Sequence, residues 1–161
     1  MSKNRGMVID FGLLVLRVCL GITFVVHGLG KVLKPGHNFS FHLANYDFGM
    51  TKFVTFLTKI GVPEPEISAW LAFVAELGGG VLLIIGFLPR VAALAIAGVM
   101  IIAILKAHRN SFLLPSGAEY CLNLLAMSIM ILCAGGGRFG IGDTIRQHLD
   151  KKKQSRGKPP G

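Results

Sequence analysis

The sequence has 161 residues, 52% of them hydrophobic, and a net charge of +9. Its apolar residues gather in a few long blocks, which argues against a soluble two-layer domain. Its basic residues sit at block ends and in the C-terminal tail rather than on a basic face interleaved with aromatics, which argues against nucleic-acid binding. A bilayer core about 30 Å thick takes roughly 20 apolar residues per helix, and four blocks approach that length. The expected fold is therefore an all-α membrane protein: a four-transmembrane-helix bundle with an interfacial amphipathic helix between helices 1 and 2. One domain is expected over 1–142, and 143–161 reads as a basic, disordered tail.

The first span is expected near 11–33, interrupted by Arg17, His27 and Lys31 and stopped by Pro35-Gly36. Lys3 and Arg5 precede it like the start of a signal peptide, but the block is long and no small-residue cleavage site follows, so it reads as a retained anchor. In the connection that follows, Phe53, Val54, Phe56, Leu57 and Ile60 recur near helical spacing, with Lys52, Thr55 and Lys59 on the other face. This segment is either a lid lying on the membrane surface or a plain connecting helix. The second span, 67–88, follows Pro63-Glu64-Pro65, and the third, 91–107, comes after only Pro89-Arg90, so the two form an antiparallel hairpin. The fourth, 118–134, ends in Gly135-Gly136-Gly137, which terminates a helix readily. Small residues at Gly21 and Gly28, Ala75 and Gly79, and Ala93 and Ala97 repeat at spacings that let membrane helices approach closely.

Lys and Arg are in excess on the side holding the N-terminus, the Pro89-Arg90 turn and the C-terminal region, including Lys151-Lys152-Lys153. That side is expected to face the cytoplasm, with both termini on it. Cys19, Cys121 and Cys133 lie in apolar blocks without a C-x-x-C pair, which argues against a thiol oxidoreductase.

Charges in hydrocarbon cost at least a few kcal/mol each, so those that remain should face the interior and have partners. Counting depth at about 1.5 Å per residue brings Arg17 of the first helix within reach of Glu76 of the second, and a structural Arg17–Glu76 ion pair is expected. Glu76 alternatively serves a proton or substrate site. His27 and Lys31 share one face of the first helix, His108 ends the third, and Glu119, Tyr120 and Asn123 open the fourth. Their convergence in the outer leaflet would suit a quinone-like head group, whose carbonyl oxygens need hydrogen-bond donors and, on reduction, proton donors. The alternative is interfacial anchoring. A haem between His27 and His108 is geometrically conceivable but lacks a second histidine pair, and no metal-ligand spacing, phosphate-cradling loop or nucleophile triad is present.

The run from Leu16 through Arg17, Gly21, Phe24 and His27-Gly28 to Lys31, the Gly61-Val62-Pro63 and Ala75-Glu76-Leu77-Gly78-Gly79 segments, and His108, Phe112 and Glu119-Tyr120 stand in order along the chain. This set resembles the DoxX family of four-helix membrane proteins. The resemblance implies a bacterial inner-membrane, multi-pass protein, usually described as a quinone-linked oxidoreductase subunit, and carries over Arg17, His27, Lys31, Glu76, His108, Glu119 and Tyr120. The chain departs from the family in Asn110-Ser111, where a glycine often precedes the phenylalanine, and in its basic tail, which suits a cytoplasmic partner or anionic lipid. The expected function is thus a membrane subunit of a redox complex that binds a quinone or similar carrier. In it His27, His108, Glu119 and Tyr120 are catalytic, and His27, Lys31, His108 and Asn123 bind the carrier. Membrane lipids and a redox protein are the expected partners, and a homo-oligomer is left open. The rival readings are a non-catalytic, chaperone-like assembly protein and a small-molecule transporter.

Overall fold

A computed structural model describes residues 2–32, 49–108, 112–113, 117–142, 145 and 152. The far end of the expected first span, Leu33, the 34–48 part of the connection, the Asn110-Ser111 departure and most of the tail lie outside them. Every regular element among the described residues is helical: α1 (Ser2–Gly30), α2 (Met50–Lys59), α3 (Pro65–Ile85), α4 (Pro89–Ala107) and α5 (Glu119–Ala134). Three of these, α1, α3 and α4, are long and apolar enough to cross a membrane, and α5 is a shorter apolar helix. At 16 residues α5 spans about 24 Å.

Local chemistry sets the boundaries. Gly61 (φ 71°) and Gly86 (φ 70°) adopt the left-handed conformation just past α2 and α3. In each case the glycine N–H bonds back to Thr58 or Leu83 and the next N–H reaches Leu57 or Leu82, the paired bonds that close a helix C-terminus. Proline opens both following helices, at Pro65 and Pro89, where its missing N–H costs nothing. α1 begins well before the apolar run that predicts it, at Ser2.

The buried core is made by Leu20 and Phe24 of α1, Leu83 of α3, Ala92, Ala93, Ile96 and Met100 of α4, and Leu124 and Ile131 of α5. Large apolar side chains such as Phe11, Leu71, Val74, Leu94 and Leu105 point outward, as lipid-facing residues do. α1 and α3 touch through backbone: a Cβ at Gly21 would lie 2.7 Å from Gly80 O, and one at Gly28 would lie 2.8 Å from Leu77 Cβ. These are the small residues whose spacing predicts close packing. Ser128, buried in α5, satisfies its hydroxyl on Leu124 O at 2.8 Å.

The bundle has two distinct ends. At the proximal end Asp10, Gly86 and the 134–142 segment meet, with Gly142 N–H donating to Gly86 O at 3.1 Å. At the distal end lie the C-terminus of α1, all of α2, and the turn between α4 and α5, where Glu119 N–H donates to Phe112 O.

Candidate functional site

Arg17 is 1% exposed and belongs to the proximal end. Its guanidinium donates from Nη1 to Gly136 O at 2.9 Å and from Nη2 to Phe139 O at 3.2 Å. Three glycines make the space: a Cβ on Gly86, Gly136 or Gly140 would fall 2.3, 3.0 or 2.8 Å from Nη1. The expected Arg17–Glu76 ion pair is therefore not formed. Arg17 lies level with Gly86, and Glu76 sits ten residues earlier on α3, roughly 15 Å along the axis. Backbone carbonyls, not a carboxylate, take the cation. Among the described residues its Nε has no hydrogen-bond partner.

The partner of Glu76 is Lys31, just past the end of α1, and both are buried. Lys31 Nζ also lies 4.6 Å from the centroid of the Phe53 ring, so α2 covers the pair from above. Glu76 occupies a wider, π-helical turn of α3, Val74–Gly78, and α4 has a second such turn at Ala103–Ala107. Single π-helical turns insert a residue and re-aim neighbouring side chains, and they are frequent at functional sites.

Both turns line one cavity of about 410 Å³ between α2, α3 and α4. Its walls are apolar, with Phe53, Leu57, Ala72 and Val99 among them, and it ends on Glu76. Ser68, whose hydroxyl is engaged by Pro63 O at 2.8 Å, is the other polar residue on its wall. α2 is held over this groove by Leu57, Val62 and Ala69, which form a small core of their own, and by Lys106 Nζ on Gly61 O at 3.1 Å.

A second polar group lies where α1 meets α5. The His27 and Tyr120 rings stack at 6.3 Å with an interplanar angle of 27°, and Phe24 flanks the histidine at 6.4 Å. His27 donates from Nδ1 to Thr23 O at 2.8 Å, which leaves Nε2 as the proton-accepting nitrogen of the neutral ring. His27, Tyr120 and Asn123 are exposed on this side of the bundle. Glu119 shares the first turn of α5 with Tyr120, and His108 is half-buried at the end of α4, its N–H on Ala103 O. The ring contacts of His27 are with Phe24 and Tyr120, and neither expected histidine lines the groove.

The Lys31–Glu76 pairing, the Phe53 contact and the groove are not among the features expected from sequence. The signals were present. Lys31 and Glu76 both lie at the distal level once α3 is counted from its Pro65 start, and the apolar face of α2 needs something to cover. The glycines around Arg17 read only as a helix terminator, because their role depends on a side chain more than a hundred residues away.

These features define a polytopic helical membrane protein with a buried ion pair whose carboxylate lines an apolar groove. The chain belongs to the DoxX family, which it matches over residues 12–109. It is 31% identical over 126 residues to a Bacillus subtilis protein named "Putative oxidoreductase CatD", covering 78% of this chain and 81% of that one. It is 29% identical over 101 residues to "Inner membrane protein YqjF" of Escherichia coli, covering 63% of this chain and 65% of that one. No solved structure matches. Arg17, Lys31, Glu76 and His108 all fall within the matched family region.

Proposed function

We propose that this chain is the membrane subunit of a redox complex and takes a quinone, or a similar lipid-soluble carrier, in the distal half of the bundle. The same reading puts the protein in a bacterial inner membrane with both termini cytoplasmic and the groove toward the outer leaflet. The observation that carries it is the apolar groove with Glu76 on its wall, the carboxylate that Lys31 holds in a buried ion pair. Such a carrier joins an apolar tail to a head with carbonyl oxygens. The groove suits the tail, and the Lys31 ammonium is a charged donor for a head-group oxygen.

Reduction of a quinone to a quinol takes up two electrons and two protons. The electrons come from the redox partner, and this chain holds the head and delivers protons. Glu76, a carboxylate while paired with Lys31, is freed as the lysine turns to the head group, takes up a proton from water and passes it to a head-group oxygen, once for each of the two protons. His27, Tyr120, Glu119, His108 and Asn123 lie at the same end of the bundle but off the groove wall, so in this reading they do not touch the head group. The oxidoreductase name of the Bacillus relative supports the redox reading.

A second reading is favoured by one observation: His27, Tyr120 and Asn123 are exposed on the α1–α5 side of a membrane bundle. Polar groups facing outward there suit a protein surface better than lipid, as in a non-catalytic assembly protein. Purification with native lipid, solvent extraction and mass spectrometry separate the two. The redox reading expects quinone recovered near one per chain, and several-fold less from Ala72→Phe, which fills the groove. Wild-type protein carrying a stoichiometric partner and no quinone above the lipid background supports assembly instead.

A further inference from the structure

The proximal end holds a cavity that the redox reading does not use. It measures about 480 Å³ and is lined by Asp10, Leu88, Arg90, Val91, Arg138 and the Gly135–Gly137 turn. Two arginines and one carboxylate line it, and that carboxylate is engaged: Asp10 Oδ1 accepts from the Arg138 backbone N–H at 3.3 Å. Arg90 is anchored by one Nη2 bond to Cys133 O at 3.3 Å. The Arg138 guanidinium makes no hydrogen bond among the described residues. α4 begins at Pro89 on the cavity wall, so the positive end of its dipole adds to the charge of the arginines. The cavity is a cationic socket.

Its rim has the opposite character. Leu88 and Val91 line the cavity and are exposed, and Phe139 and Ile141 continue the apolar surface beside it. These residues sit at the helix ends, at the level where hydrocarbon gives way to head groups. A ligand that meets both surfaces carries a phosphate anion and acyl chains together. Basic pockets between helix ends are where membrane proteins hold anionic lipid.

We propose that the proximal cavity binds the phosphate head group of an anionic phospholipid, held by Arg90 and Arg138, with the acyl chains lying on Leu88 and Val91. The lipid bridges the α3–α4 turn and the segment after α5, which the Arg17 clasp already brings together. The basic tail gathers anionic lipid at the surface, and the socket selects one molecule of it.

Native mass spectrometry of the full chain in mild detergent tests this, with phosphatidylglycerol and phosphatidylcholine of matched acyl chains as probes. Wild-type protein should keep one phosphatidylglycerol with a preference of about tenfold, the size of one charge-assisted contact. Arg90→Gln/Arg138→Gln should bring the ratio near unity, while Lys151→Gln/Lys152→Gln/Lys153→Gln leaves it intact. Should the double variant fail to elute as a folded species, Arg138→Gln alone, which breaks no side-chain hydrogen bond among the described residues, should lower the preference several-fold. Equal retention of the two lipids by wild type overturns the proposal. So does a preference that disappears with the tail lysines but survives the arginine change, or displacement of the lipid by excess inorganic phosphate, which marks a free-anion site.

Discussion

Two buried cations meet the same problem at opposite ends of this bundle and solve it differently. Arg17 donates to two backbone carbonyls among glycines that leave no room for a side chain, so each hydrogen bond it makes among the described residues is to backbone held by the fold. Lys31 is paired with one carboxylate and one aromatic face, beside an open groove. A planar guanidinium with five donors suits a rigid ring of acceptors, whereas an ammonium on a flexible stem can exchange partners. Arg17 thus fastens the proximal helix ends together, whereas the proposed carrier site asks Lys31 to exchange one partner for another.

On that contrast, the largest effect comes from breaking the clasp. Arg17→Met strands the carbonyls of Gly136 and Phe139 and should cost roughly 3–6 kcal/mol, two charge-assisted bonds' worth. Thermal unfolding in detergent, followed by size-exclusion chromatography, should then find little folded protein. Next is Lys31→Met, which leaves the Glu76 carboxylate buried without its cation and should cost about 3–5 kcal/mol. Unlike Arg17, it is rescuable: Lys31→Met/Glu76→Met removes both charges and should return stability close to wild type in the same unfolding assay.

A smaller effect is expected where α1 crosses α3. Gly21→Ala drives a methyl toward the Gly80 carbonyl, and the separation of the helices should cost about 1–3 kcal/mol while leaving both charged ends chemically intact. The mildest is Tyr120→Ala, which removes the stacked partner of His27 for about 0.5–1.5 kcal/mol, read as a drop in melting temperature with no loss of folded yield. An Arg17→Met protein as stable as Lys31→Met/Glu76→Met would erase the distinction between the two ends.

The architecture was legible because lipid enforces it. Spans read from the length of apolar runs, hairpins from Pro89-Arg90 and close crossings from Gly21 and Gly28, each a local signal. The amphipathic α2 was legible for the same reason, its apolar face repeating at helical spacing. Pairing of charges was not. Arg17 and Glu76 are the formally charged groups deepest in their blocks, which makes them natural partners on a depth count. That count placed α3 too loosely against α1, and it ignored carbonyls as acceptors. Only the Schellman turn at Gly86 fixes that register, and it brings the 134–142 segment rather than a carboxylate to Arg17. Likewise the sequence brings His27 and Tyr120 to one end, where their rings meet, but nothing in their spacing says that the groove lies between α2, α3 and α4.

The groove itself has a built-in reporter, since Trp70 is the chain's single tryptophan and sits on α3 next to Leu71 of the groove wall. In lipid nanodiscs, a short-tailed benzoquinone titrated against its fluorescence should quench with a saturable component in wild type. Ala72→Phe, with the groove filled and the fold retained, should leave only the linear quenching of quinone dissolved in lipid. Identical linear quenching in both proteins would contradict a carrier site at Lys31–Glu76.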